Sequence, residues 1–85
     1  MPVHYFSMQG CGPCKAFQPV LQKTAAQMGV HVNYIDVNAQ PQLASQYNIS
    51  SVPTLVITSK TGETLYRASG ALSPTQLSQI LSMSA

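Results

Sequence analysis

The order of apolar patterns along the first half of the chain restricts its fold more than any other feature. Residues 3–7 form a short apolar run. Three- and four-residue spacing then relates Phe17, Val20, Leu21, Thr24 and Met28. A second, mostly buried run is expected at residues 30–37, with its apolar side chains at positions 30, 32, 34, 35 and 37. Short apolar runs are typical of strands, and the three- and four-residue spacing between them is typical of an amphipathic helix. Pro19 is expected to kink this helix. A strand, a crossover helix and a second strand form a right-handed βαβ unit. The sequence therefore predicts an α/β fold.

The second half of the chain predicts another helix, a hairpin and a final helix. Helical spacing indicates a short helix at residues 40–47, and strand-like runs at residues 54–58 and 64–68 are separated by a turn. Ser73 then precedes a proline and, three positions on, a glutamine, which is the pattern of a capping box. The predicted order is β-α-β-α-β-β-α, a four-stranded mixed sheet with helices on its faces. We expect one domain over residues 1–85.

Charged residues are few: they make up 7% of the chain, against about 25% in an average protein, and the net charge is +2. The basic residues are scattered, so no patch can neutralise several phosphates or bind an anionic membrane surface. No apolar run approaches the roughly 18 residues of a membrane span, and the first residues do not resemble a signal peptide. We therefore expect a soluble, cytoplasmic and monomeric protein without nucleic-acid or membrane partners.

Cys11 and Cys14 lie where the first predicted strand gives way to the first helix. A disulfide between residues so close in sequence closes too small a loop to stabilise a fold much, so the pair points to chemistry. Unpaired N–H groups at a helix N-terminus stabilise a thiolate, which predicts Cys11 as the nucleophile of a thiol–disulfide exchange. Cys14, one turn further on, is placed to resolve the mixed disulfide. Pro13 suits the first helical turn because it has no N–H to leave unpaired.

Two other interpretations of the cysteine pair stay open at this point. The cysteines could be small buried residues without chemistry, or they could supply half of a tetrahedral zinc site. His4 and His31 are the only histidines in the sequence that could complete such a site, and neither has the paired spacing of a zinc finger. We therefore expect no metal.

Three motifs, in order along nearly the whole chain, resemble the thioredoxin family. They are similar to its active-site helix, its cis-proline segment and the loop before its last helix. The motifs are Cys11-Gly12-Pro13-Cys14-Lys15 followed by Pro19, Ser51-Val52-Pro53-Thr54, and Gly70-Ala71-Leu72-Ser73. The resemblance implies a minimal thioredoxin-like fold and a protein disulfide reductase that uses the redox-active Cys11–Cys14 disulfide in place of any prosthetic cofactor. Its implied partners are protein disulfides as substrates and a thioredoxin reductase as electron donor.

The resemblance also implies roles for individual residues. Val52–Pro53 would be a cis peptide packed against the cysteines, and the backbone of Val52 would pair with an extended substrate segment. The other members of the implied site belong to the active-site loop or to a flat, uncharged contact surface: Gly12, Pro13, Lys15, Gly70 and Ala71.

Three departures from the family pattern bear on fold and mechanism. Family members usually have a strand and a helix before the active-site strand, so we expect a glutaredoxin-sized core with one exposed sheet edge. The tryptophans usual before the first cysteine are missing, with Gly10 and Ser7 at those positions. Tyr5 replaces the family's buried aspartate, and Tyr34 aligns with the lysine often paired with it. Because a tyrosine with an ordinary pKa of about 10 cannot accept the proton of the resolving thiol at neutral pH, we predict slower resolution.

Two alternative functions remain for a chain with these motifs. A glutaredoxin-like, glutathione-dependent oxidoreductase fits the size, but its usual active-site pair is Pro-Tyr and its glutathione site needs charged contacts, which this chain largely lacks. A thioredoxin-fold binding module, with incidental redox activity, would use the same neutral surface to dock onto a larger protein.

Overall fold

The computed structural model describes residues 2–70 and 72–84 and has the predicted β-α-β-α-β-β-α order. The elements are β1 (Val3–Ser7), α1 (Gly12–Met28), β2 (Val32–Asp36), α2 (Pro41–Gln46), β3 (Thr54–Thr58), β4 (Thr64–Ser69) and α3 (Pro74–Ser82). The second strand is shorter than the predicted residues 30–37. Its start is delayed because the N–H of Val30 donates to the carbonyl of Ala25, 2.9 Å away, in the turn that ends α1.

The sheet has the strand order β2-β1-β3-β4, with β1 and β3 at its centre. β1 and β2 run parallel, with Val3 opposite Val32, whereas β1 with β3 and β3 with β4 are antiparallel. The four-stranded mixed sheet is thus confirmed. Every residue of β3 is buried, because this strand is paired on both sides and covered on both faces.

The two faces of the sheet carry separate hydrophobic clusters, since successive side chains of a strand point to opposite faces. Val3 and Tyr5 of β1 pack with residues of α1 and α3 in the larger cluster. Phe6 points the other way and packs with Ile35 and Val56, against partly buried residues of α2 and its flanks. The active-site helix α1 is therefore held on the Tyr5 face of the sheet.

Helix α1 begins at Cys11, its N-cap, and ends at Gly29, which has a φ of 68°. A glycine adopts this left-handed conformation without the steric penalty of a side chain, so it terminates the helix. The helix is continuous through Pro19. None of the helices in the described residues is long and apolar enough to cross a membrane.

Two of the predicted burial positions are wrong. Val20 is 36% exposed and Tyr34 is 41% exposed. Each residue advances a helix by about 100°, so Val20 lies about 90° around the axis of α1 from the centre of its buried stripe. Its side chain is therefore at the edge of the buried face. Tyr34 belongs to β2, an edge strand, so its side chain is covered less than those of the central strands.

Candidate active site

The two cysteines lie at the junction of β1 and α1, with Cys11 as N-cap and Cys14 in the first helical turn. They form a disulfide, with their Cα atoms 5.2 Å apart. The exposed fraction is 9% for Cys11 and 2% for Cys14. Of the two sulfur-bearing residues, Cys11 is therefore the more accessible to a partner, and Cys14 is shielded behind it.

One backbone N–H is directed at the sulfur of Cys11. The N–H of Cys14 donates to Cys11 Sγ at 3.2 Å, as the side chain of an N-cap residue accepts from the first turn of a helix. The carbonyl of Cys11 accepts from the N–H of Lys15 at 3.1 Å, which closes that turn. When the disulfide is reduced, the same N–H and the positive end of the helix dipole favour negative charge on Cys11 Sγ.

Tyr5 lies beneath the pair and is fully buried. Its hydroxyl donates a hydrogen bond to the carbonyl oxygen of Cys14 at 3.1 Å. Burial, with a smaller contribution from the neighbouring Tyr34, raises the pKa of Tyr5 to about 12. The hydroxyl therefore stays protonated and acts as a donor. The sequence analysis considered Tyr5 only as a residue that cannot serve as a base, and it did not predict this hydrogen bond. The sequence feature that could have indicated it is the position of Tyr5, six residues before Cys11.

The segment from Ser51 to Thr54 carries the second predicted motif and leads into β3, where Thr54 lies opposite Phe6 near the end of β1. The peptide bond between Val52 and Pro53 is cis. Pro53 is buried, and Val52 is half-buried. The hydroxyl of Thr54 donates to the carbonyl of Ser51 at 2.7 Å, which stabilises the turn that presents Val52.

Gly70 joins this segment through its backbone. Its N–H donates to the carbonyl of Pro53 at 2.8 Å, so the end of β4 and the proline segment are held together. Gly70 is exposed with a φ of 82°. The other predicted surface residues, Gly12, Pro13 and Lys15, are also exposed. Ala71, predicted to be part of the same surface, lies outside the described residues.

An apolar groove that sequence reasoning missed lies next to the cis-proline segment. It has a volume of about 220 Å³ and is lined by Met8, Val37, Ile49, Ser50, Ser51 and Val52. Met8 is 40% exposed, although it is a large apolar residue. Its position shortly before Cys11 is the sequence signal that could have indicated a surface role. No lining residue is charged, so the groove favours apolar groups.

The two histidines considered as metal ligands lie away from the cysteines. The ring of His4 is 5.3 Å from that of Tyr47, on the sheet face opposite Tyr5, where the two rings help line a cavity of about 350 Å³. His31 is exposed beyond the end of α1. Within residues 2–70 and 72–84, no group of three or more His, Cys, Asp or Glu residues is placed to hold a metal ion.

An N-capping cysteine that is disulfide-bonded to a second cysteine one turn later, at the junction of a strand and a helix, is the arrangement of a thiol–disulfide oxidoreductase. The thioredoxin family model matches residues 2–83, and the chain belongs to that family. It is 36% identical over 78 residues to thioredoxin of Chlamydia trachomatis, covering 91% of this chain and 76% of the relative. It is 42% identical over 73 residues to thioredoxin 1 of a Nostoc species, covering 84% of this chain and 67% of the relative.

A solved structure supports the same assignment. Thioredoxin 1 of Thermosipho africanus superimposes with a TM-score of 0.84 and 26% sequence identity, covering 99% of this chain and 93% of that one. Thioredoxins are protein disulfide reductases, and the Cys11–Cys14 pair equips this chain for the same dithiol–disulfide exchange.

Proposed function

We propose that this thioredoxin reduces protein disulfides with Cys11 as the attacking and Cys14 as the resolving cysteine. The observation that supports these roles is the difference in exposure, 9% against 2%. An attacking sulfur must meet the substrate, whereas a resolving sulfur needs only to reach the first. The N–H that donates to Cys11 Sγ adds to the argument because it stabilises the thiolate, which is the nucleophilic form.

The exchange proceeds in two balanced steps. The Cys11 thiolate attacks one sulfur of the substrate disulfide, forms a mixed disulfide and releases the other substrate sulfur as a thiolate, which takes up a proton from water. Cys14 loses its proton and its Sγ attacks Cys11 Sγ, which forms the Cys11–Cys14 disulfide and releases the second substrate sulfur as a thiolate, which in turn takes up a proton. Two electrons pass from the cysteine pair to the substrate. The proposal includes no prosthetic group.

Substrate alignment is assigned to Val52 and its neighbours. Among residues 2–70 and 72–84, no main-chain partner is hydrogen-bonded to the N–H or C=O of Val52, whereas the carbonyl of Pro53 is already bonded to Gly70. An extended substrate segment can therefore add to the backbone at Val52 in the manner of a β-strand. The exposed Gly12, Pro13 and Gly70 present little side-chain bulk and no charge to such a segment.

The oxidised pair needs an electron donor to return to the dithiol. We assign this role to a thioredoxin reductase and place the protein in the cytoplasm, where thiol systems keep such pairs reduced. Reduction with NADPH and thioredoxin reductase, compared with glutathione and its reductase, tests the assignment. Turnover with glutathione and its reductase, but none with thioredoxin reductase, would instead support a glutathione-dependent oxidoreductase.

Trapping with Cys14→Ser is the experiment that tests the proposed roles. The variant should retain substrates as mixed disulfides on Cys11 that dithiothreitol releases, because the resolving sulfur is gone. Cys11→Ser is the matched control and should trap far less, since Cys14 is shielded. Equal trapping by the two variants would contradict the assignment.

A further inference from the structure

The segment between α2 and β3 provides most of the surface that the proposed function assigns to the substrate. Residues 49–52 are four of the six that line the apolar groove. The last of them, Val52, has the backbone that is assigned to pair with an extended substrate. These residues belong to neither a helix nor a strand. Their position is therefore set by the contacts that neighbouring elements make with the two ends of the segment.

The end of the segment that leads into β3 is held at Ser51 and Pro53. The N–H of Gly70, which follows β4, donates to the carbonyl of Pro53 at 2.8 Å. The hydroxyl of Thr54 donates to the carbonyl of Ser51 at 2.7 Å. Neither hydrogen bond reaches the other end of the segment, where it leaves α2.

Arg67 of β4 holds that other end. One guanidinium nitrogen of Arg67 donates to the carbonyl of Asn48 at 2.9 Å, and the second donates to the carbonyl of Tyr47. Arg67 lies opposite Val56 of β3, so its side chain is on the sheet face against which α2 and its flanks pack. A planar guanidinium presents its donors in a fixed fork, which suits two acceptors at once.

The end of α2 depends on such a donor because the helix is weakly held by its own residues. It has six residues, none of them buried, and it ends at Tyr47. The next residue, Asn48, has a φ of 54°, a left-handed conformation that costs free energy in residues other than glycine. The last carbonyls of a helix have no partner within it, and a cation there also interacts favourably with the helix dipole. Arg67 supplies both the donors and the charge.

We propose that Arg67 is a positioning residue for the substrate-aligning segment, a role that rests on the proposed function. Strand β4 and the glycine after it hold the segment at both ends, with Arg67 at Asn48 and Gly70 at Pro53. The groove and the backbone of Val52 lie between these two points. Since α1 packs on the opposite face of the sheet, loss of Arg67 leaves the helical turn with the cysteines in place.

The test compares a protein disulfide with a small one in single turnovers. Reduced protein is mixed with insulin or with hydroxyethyl disulfide, quenched in acid and alkylated, and the oxidised fraction is measured by mass spectrometry at several substrate concentrations. Insulin has a peptide backbone that Val52 can align, whereas hydroxyethyl disulfide has none.

Arg67→Gln should be impaired with insulin alone. Its second-order rate constant with insulin should fall about fivefold, the order of one net hydrogen bond, through weaker apparent binding and not through the limiting rate. With hydroxyethyl disulfide the constant should stay within about twofold of the wild type. An equal fall with both disulfides, or a wild-type constant with insulin, would overturn the positioning role.

Two further variants separate the hydrogen bonds of Arg67 from its charge. Lys60→Gln removes the same charge from an exposed position in the turn between β3 and β4, and it should keep wild-type rates with both substrates. Arg67→Lys keeps the charge but replaces the fork with a single ammonium group, so it should recover little of the lost rate. Full recovery in Arg67→Lys, or the same loss in Lys60→Gln, would assign the effect to charge and overturn the proposal.

Hydrogen exchange gives a second readout, which does not depend on catalysis. The N–H of Ile49 donates to the carbonyl of Ala44 at 2.9 Å, at the junction that Arg67 holds. In Arg67→Gln this N–H should exchange about fivefold faster, while the amides of β3 keep their wild-type rates. Unchanged exchange at Ile49 would show that Arg67 does not hold the segment.

The proposed function and the role of Arg67 fail separately. Reduction of insulin by the wild-type protein, and trapping on Cys11 in Cys14→Ser, test the function with Arg67 intact. If both succeed and Arg67→Gln behaves as the wild type, the role of Arg67 fails alone. If the wild-type protein does not reduce insulin, the proposed function fails, and hydrogen exchange at Ile49 still reports whether Arg67 holds the segment.

Discussion

The backbone N–H of Cys14 donates a hydrogen bond to Sγ of Cys11 across 3.2 Å. The two residues of the redox pair are thus joined through the first turn of α1 as well as through their sulfurs. This contact is present in the oxidised pair. Once the pair is reduced, the same N–H favours negative charge on Cys11 Sγ, which is the state that attack requires.

Cys11 is expected to alkylate faster than Cys14 in the reduced protein. Iodoacetamide reacts with thiolates, and both the helix N-terminus and accessibility favour Cys11. In Cys14→Ser the remaining thiol is Cys11, and in Cys11→Ser it is Cys14. At neutral pH the first variant should be alkylated at least about tenfold faster than the second. Mass spectrometry of timed samples measures both rates. A faster reaction at Cys14 would reverse the two assigned roles.

Leu77→Ala should strongly destabilise the fold. Leu77 of α3 is fully buried in the cluster that holds α1 against the sheet. Truncating a buried leucine costs about 2 to 5 kcal/mol of unfolding free energy. Urea denaturation followed by circular dichroism measures the change. Leu65→Ala is the matched control, since Leu65 is 49% exposed, and equal losses in the two variants would contradict this description of the core.

Ser73→Ala tests the predicted capping box of α3. Ser73 Oγ accepts from the N–H of Gln76 at 3.2 Å, and the Gln76 side chain accepts from the N–H of Ser73 at 3.1 Å. Loss of an N-cap side chain costs about 1 kcal/mol. The free energy of unfolding should fall by that amount in Ser73→Ala, whereas Thr75→Ala, an exposed change in the same turn, should leave it nearly unchanged. A neutral result at Ser73 would count against the cap.

His4 should make the protein less stable as the pH falls. Burial lowers the pKa of His4 from its ordinary value of 6.5, so the unfolded chain takes up the proton before the folded chain does. The contribution of His4 to the free energy of unfolding is therefore fully present above pH 6.5, its ordinary pKa. It is lost as the pH falls from there through the lower pKa of the folded chain.

Thermal unfolding from about pH 7.5 to pH 5 checks this expectation. His4→Gln should show a smaller decrease in Tm over that range than the wild type. The matched control His31→Gln replaces an exposed histidine and should keep the wild-type decrease. An unchanged slope in His4→Gln would show that other groups cause the pH dependence.

Local patterns predicted most of the secondary structure and one half of the site. The apolar spacing of α1, the capping signature at Ser73 and the cysteine pair at a strand-to-helix junction are each set within a few residues. Periodicity did not predict the exposure of Val20 or Tyr34. The burial of a residue depends on which neighbouring element packs over it. A sequence pattern indicates on which face of a helix or strand a residue lies, but it does not indicate what packs against that face.

The sequence by itself determined the order of the elements, the position of the cysteine pair and the identity of the motifs, because backbone preference, capping and side-chain periodicity act over short distances. Tertiary structure alone decided which cysteine is the more exposed, that the hydroxyl of Tyr5 donates to the carbonyl of Cys14, and that the N–H of Gly70 donates to the carbonyl of Pro53. These relationships join residues that are brought together only when β1, α1 and the end of β4 pack around one core. Their energies depend on distance and burial in the folded chain.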